Sequence, residues 1–103
     1  TLDDLKARGE KVYAANCVAC HQANGKGVQG AFPALEGSRM VLGPRGAQEN
    51  IVLNGKPGTA MAPFKAVLND VEVAAVITYT RNAWGNKAEQ NLVQPREVAA
   101  ARK

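Results

Sequence analysis

The chain is poor in the residues that most often build sites. Its 103 residues include two cysteines, one histidine and two methionines. Three Cys and His side chains fall short of the four N or S ligands that close a structural zinc site. Aromatic residues are scarce as well: two Phe, two Tyr and one Trp. No stretch approaches the ~20 apolar residues needed to span a bilayer as a helix. The formal charge is +4 and the pI about 9.3, but the basic residues are scattered. Without a basic run, nucleic-acid binding has no support. The sequence does not begin with Met and shows no signal-peptide pattern, so it reads as a mature form or an excised piece of a longer protein.

What is present has to work within those limits. At this length the chain is read as one domain, residues 1–103, burying roughly 60–65% of its unfolded surface, which is marginal without help. The hydrophobic fraction of 46% is inflated by alanine, which suits close helix packing but adds little core volume. A large, flat apolar cofactor would fill that deficit.

The stretch Cys17-Val18-Ala19-Cys20-His21 uses both cysteines and the only histidine. C-x-x-C-H is the attachment signature of c-type haem. Its two thiols add to the two haem vinyl groups as thioethers, and the imidazole that follows reaches the iron on one face. A thioredoxin-like pair would need a βαβ context that the flanks do not provide. A plain disulfide leaves His21 unexplained. Because haem is attached to such motifs outside the cytoplasm, the expected location is the periplasm or the outer face of a bacterial cytoplasmic membrane. Contact with the membrane itself is expected only through a missing parent chain or complex.

The rest of the chain reads as helices joined by Gly- and Pro-rich connections. Residues 1–16 are expected to form a helix, with Thr1 and Asp4 as a capping box and Leu2, Leu5, Gly9, Val12 and Tyr13 near one face. Gly9 is costly inside a helix unless a partner needs its bareness. Gly25, Gly27 and Gly30 let backbone pass close to a flat ligand. Pro33 offers a carbonyl that can accept from the free N–H of a metal-bound His21, and Phe32 and Leu35 can cover the haem. Gly43 to Gly46 reads as a turn, Ala47 to Leu53 as a short helix stopped by Asn54-Gly55. Met61 lies in an irregular loop over 55–64, where a thioether is unusual as core and makes sense as an axial ligand. Its competitor, Met40, precedes a Val-Leu pair that reads as packing. Residues 69–84 form the second major helix, capped by Asn69 with Glu72, its stripe running through Val73, Val76, Ile77 and Thr80 to Trp84. Residues 86–103 form a C-terminal extension with a short helix from Pro95.

On these residues the chain resembles a class I cytochrome c from end to end. Cys17, Cys20 and His21, then Pro33 and Leu35, then Met61 follow the order of that family's motifs, and Gly9, Tyr13, Val76 and Tyr79 match its helix-crossing positions. The resemblance implies an all-α fold of three to five helices around one covalent haem, with His21 and Met61 as axial ligands. The run from Val76 to Asn86, with the Val-Gln-Pro segment and Ala-Arg ending that follow, is similar to the cytochrome c domain fused to subunit II of caa-type haem-copper oxidases. That implies a one-electron carrier without a substrate site of its own, whose parent complex is a cytochrome c oxidase. An upstream electron donor and the oxidase's dinuclear copper centre would be its partners. A free soluble carrier and an open-iron enzyme or gas sensor are the alternatives. Lys26, Lys56 and Lys65 flank the ligand loops and could steer an acidic partner. For the open-iron reading, Arg45 is the one mid-chain basic residue to nominate as a distal helper, with propionate pairing as its other role at the haem.

Overall fold

The computed structural model describes residues 2–22, 25–27, 35, 37–43, 45–55, 63–86, 88 and 91–102, with backbone alone at positions 19, 20, 39 and 40. Six helical segments occur among them: α1 (Leu2–Asn16), α2 (Val18–His21), α3 (Arg39–Leu42), α4 (Arg45–Asn54), α5 (Asp70–Asn82) and α6 (Pro95–Ala101). Four have seven residues or more, α2 and α3 are single turns, and no strand occurs among the described residues. The all-α expectation therefore holds.

The main crossing is α1 on α5. It is close because Gly9 has no side chain. A Cβ there would sit 2.0 Å from the Ala75 carbonyl oxygen and 2.6 Å from the Tyr79 Cβ. Around this point Val12, Tyr13, Val73, Val76 and Ile77 are buried, joined by Leu53, Leu68, Val93 and Val98 from α4, the connections and α6. Each fully buried Val, Leu or Ile contributes about 1.5–3 kcal/mol. This set is the frame on which the connecting segments are hung.

Helix ends follow local chemistry. Asp3 and Asp4 lie in the first turn of α1, at the positive end of its dipole; the Thr1 side of the expected capping box lies outside the described residues. At α5, the Asn69 side chain accepts from the Glu72 N–H at 2.8 Å and Glu72 accepts from the Asn69 N–H at 3.0 Å, the expected box. In α6 the Glu97 carboxylate accepts from the Gln94 N–H at 2.8 Å. That cap was not foreseen, because Gln is a poor N-cap by type.

Two expectations are corrected. α4 begins at Arg45, two residues early, so Arg45 and Gly46 are helix rather than turn. The Arg45–Glu49 pair at 2.8 Å, one helical turn apart, offsets part of the cost of Gly46. α5 ends at Asn82, so Trp84 is not part of its stripe. Ala83 is extended, and Trp84 and Gly85 both take positive φ, 56° and 84°. The Asn82 side chain donates to the Thr78 carbonyl and to the Asn91 carbonyl at 2.7 and 2.8 Å, which ties the returning tail to the helix end.

Candidate haem-attachment site

The site begins where α1 stops. Cys17 N–H still bonds the Tyr13 carbonyl at 2.8 Å, and His21 N–H bonds the Cys17 carbonyl at 2.9 Å. Positions 17, 20 and 21 therefore share one helical turn, three and four residues apart. Cys17 and His21 are half-buried, and Cys17 and Val18 pack against the core. The side chain of Cys20 lies outside the described residues, as do Pro33, Phe32 and Met61.

The chain then turns sharply. Gln22 has φ 66° and ψ 158°, a region that a residue with a side chain seldom takes. Its carbonyl accepts from the Tyr13 hydroxyl at 2.6 Å, so α1 itself holds the strained turn. Gly25 and Gly27 follow at φ 70° and 66°. Gly27 N–H bonds the His21 carbonyl at 2.9 Å. A Cβ on Gly25 would lie 2.5 Å from the Trp84 indole, so the close approach this glycine allows is to a side chain of the chain itself, where a flat ligand was expected. Trp84 stands in an edge-on cluster with Tyr13 and Tyr79, ring centroids 5.3 to 5.6 Å apart. Burial, then Cys17 and Tyr79, push the Tyr13 phenol well above its ordinary pKa. Tyr79 is pushed up by burial and by Glu10.

Three further contacts bring the remaining segments in. Leu35 N–H bonds the Gly25 carbonyl at 2.6 Å, and the half-buried Leu35 side chain packs on the core. Buried Asn86 accepts from Gly37 N–H at 2.8 Å and donates to the carbonyls of Leu35 at 3.2 Å and Thr80 at 2.8 Å. Phe64 and Lys65 N–H bond the Val52 and Leu53 carbonyls, both at 3.0 Å, so the described residues before and after position 61 are joined.

Behind this lies a buried polar network that sequence reasoning missed. Arg81 is fully buried and donates to the Val41 and Gly43 carbonyls at 2.8 and 2.7 Å and to Gln48 at 3.2 Å. Burial lowers its pKa, with Glu49 opposing the drop. The signal was available: Arg81 is one turn beyond Ile77, on the stripe read as buried. Arg45 pairs with Glu49 and with Glu97, the latter at 2.9 Å, which ties α4 to α6.

The residues fit a covalent haem. Both thioether positions and the imidazole share one turn, and Val18, Leu35, Val52 and Phe64 keep half-exposed apolar faces while packed on the core. Those faces suit the flank of a flat apolar body.

The sequence profile of the family described as cytochrome c oxidase, cbb3-type, subunit III, matches residues 4–79. The chain belongs to the cytochrome c family. It is 37% identical over 95 residues to cytochrome c-552 of Thermus thermophilus, covering 79% of this chain and 71% of that one. It is 37% identical over 90 residues to the cytochrome c subunit of the quinone-dependent alcohol dehydrogenase of Gluconobacter oxydans, covering 78% of this chain but 19% of that subunit. The solved structure of dihydro-haem d1 dehydrogenase in complex with DHE matches with a TM-score of 0.65 and 30% identity, over 74% of this chain and 16% of that one. The fold is that of a class I cytochrome c, and the cofactor is a covalently bound haem c with its iron. Membership of this family of electron carriers implies redox protein partners. Bacterial domains of this kind are typically extracytoplasmic, and no helix among the described residues is long and apolar enough to cross a membrane.

Proposed function

We propose that residues 1–103 form a single cytochrome c domain that transfers one electron at a time through a six-coordinate haem. The arrangement that carries this reading is the single turn bearing positions 17, 20 and 21, packed on the α1–α5 frame. When bound, the haem supplies an iron that cycles between ferric and ferrous states. Cys17 and Cys20 would hold it by thioethers, and His21 and Met61 would supply the nitrogen and sulfur ligands to its iron, which would leave no open site for substrate. The Pro33 carbonyl accepts from the imidazole N–H, which fixes the ring and tunes the iron. Leu35 covers the macrocycle.

The acceptor in this reading is a haem-copper terminal oxidase, with the chain serving as the haem domain of its subunit II on the periplasmic side. The run from Val76 to Asn86 supports the subunit II placement; the matching profile, described as subunit III of a cbb3-type oxidase, supports only the broader link to oxidase-related cytochrome c domains. A free soluble carrier is the second reading, favoured by the 71% coverage of cytochrome c-552. Lys26 and Lys65 are exposed, as steering of an acidic partner requires; Lys56 lies outside the described residues. Oxidation by such a partner should slow as ionic strength rises.

Absorption spectra of oxidised and dithionite-reduced protein test the ligation. A low-spin c-type spectrum with the weak far-red sulfur-to-iron band, lost in Met61→Ala, is the expected result. A high-spin spectrum that shifts with carbon monoxide would mean an open iron and would overturn the carrier reading.

A further inference from the structure

Asparagine is followed by glycine at two places, Asn24-Gly25 and Asn54-Gly55, and by a bulkier residue everywhere else. Such a pair is open to succinimide chemistry, because glycine puts no side chain between its own nitrogen and the asparagine carboxamide. Asn54 is the last residue of α4, and its side chain is exposed. Two hydrogen bonds engage the groups that would react. Gly55 N–H donates to the Ile51 carbonyl at 2.7 Å, and the Asn54 Nδ2 donates to Asn50 Oδ1 at 2.9 Å. The same turn is anchored from behind. Leu53 is fully buried, and the Val52 and Leu53 carbonyls accept from Phe64 and Lys65 N–H, both at 3.0 Å.

We propose that Asn54 is a site of spontaneous deamidation that the last turn of α4 latches shut, so that the reaction proceeds through opening of that turn. In the first step the Gly55 nitrogen gives its proton to solvent base and bonds to the Asn54 Cγ, and ammonia leaves. One water then opens the succinimide at either carbonyl, giving aspartate or isoaspartate. Water is the only co-reactant. The fold opposes the first step because the Gly55 proton is engaged by Ile51 and the carboxamide by Asn50. Neither product restores the latch. Aspartate puts a carboxylate at the negative end of the α4 dipole. Isoaspartate adds a methylene to the main chain directly after the two carbonyls that bond Phe64 and Lys65. Both products loosen the join between α4 and the segment before α5.

The test is incubation of the holoprotein in mildly alkaline buffer, folded and in urea, with peptide mass spectrometry that resolves aspartate from isoaspartate. Asn24, with the same Gly-Lys sequence after it, is the standard for the unfolded chain. In urea, Asn54 should convert as fast as Asn24. In the folded protein, Asn54 should convert about ten- to hundredfold more slowly than in urea, the worth of its two bonds. Asn50→Val matches asparagine in helix propensity and has no acceptor. It should speed the folded-state conversion about two- to tenfold and leave the rate in urea unchanged. A folded rate equal to that in urea would show that there is no latch. An Asn54 that stays intact in urea while Asn24 converts would show that it is not a site. A folded rate unmoved by Asn50→Val would show that the carboxamide bond holds nothing. Any of the three overturns the proposal.

Discussion

The α1–α5–α6 frame and the segments that carry the haem ligands are held together by different means. The frame rests on apolar burial around a glycine crossing: Val73 and Ile77 are fully buried, and Gly9 lies against the Ala75 backbone. Among the described residues, the connecting segments are mostly half-buried or exposed and are held by single polar side chains from the frame and the segment after α5. Tyr13 of α1 holds the Gln22 carbonyl, Arg81 of α5 holds Val41 and Gly43, Asn86 holds Leu35 and Gly37, and Arg102 holds Lys65 and Leu68. An apolar frame can form from periodicity alone. A cofactor cradle needs backbone placed at particular points, and individual hydrogen bonds do that at about 0.5–1.5 kcal/mol each.

The largest blow to this contrast should come from Gly9→Val. Its Cβ has no space against the Ala75 carbonyl, so the helices must separate. Loss of about 3 kcal/mol or more in denaturant unfolding is expected, with both regions failing together.

Asn86→Ala should cost less, about 1–3 kcal/mol, and act locally. It removes the bonds to Gly37 N–H and to the Leu35 and Thr80 carbonyls, of which Leu35 keeps its bond from Ser38 N–H at 3.2 Å. The reduction potential should shift as well, since Leu35 lies two residues from the proposed acceptor of His21. An unchanged potential would separate Asn86 from the ligand.

Tyr13→Phe removes one 2.6 Å bond and should cost about 1 kcal/mol near neutral pH. It also has a pH signature. The Tyr13 phenol has a raised pKa when folded, so the native state keeps a proton that the unfolded state gives up. Wild-type stability should therefore be level below the ordinary phenol pKa of about 10 and fall above it. The variant should lose part of that fall, Tyr79 retaining the rest.

The smallest effect, and of opposite sign, belongs to Gln22→Gly. Positive φ at Gln22 costs about 1–3 kcal/mol, and glycine relieves it while adding unfolded-state entropy. A net gain of about 0.5 kcal/mol in the unfolding free energy is expected.

The frame was legible in the sequence because its signals are periodic and local. Gly9 four residues before Tyr13, the Asn69–Glu72 box and the stripe through Ile77 all pointed to the observed helices. The attachment turn was legible because its five residues are contiguous. Most of the clamps were not, because they join residues far apart: Asn86 to Leu35 and Arg102 to Lys65 are 51 and 37 positions apart. Trp84 was misplaced for a related reason. Helical spacing continues on paper through Ala83, while the backbone leaves the helix there and turns the indole onto Gly25.

Native-state hydrogen exchange on the holoprotein tests the central contrast most directly. Amides of Gly27, Leu35, Gly37 and Lys65 should exchange through openings of lower free energy than those in the middle of α5. Asn86→Ala should speed Leu35 and Gly37 well beyond any change at Lys65 or in α5. One common opening free energy at all these sites, moving as a block in the variant, would show a single cooperative unit and contradict the account.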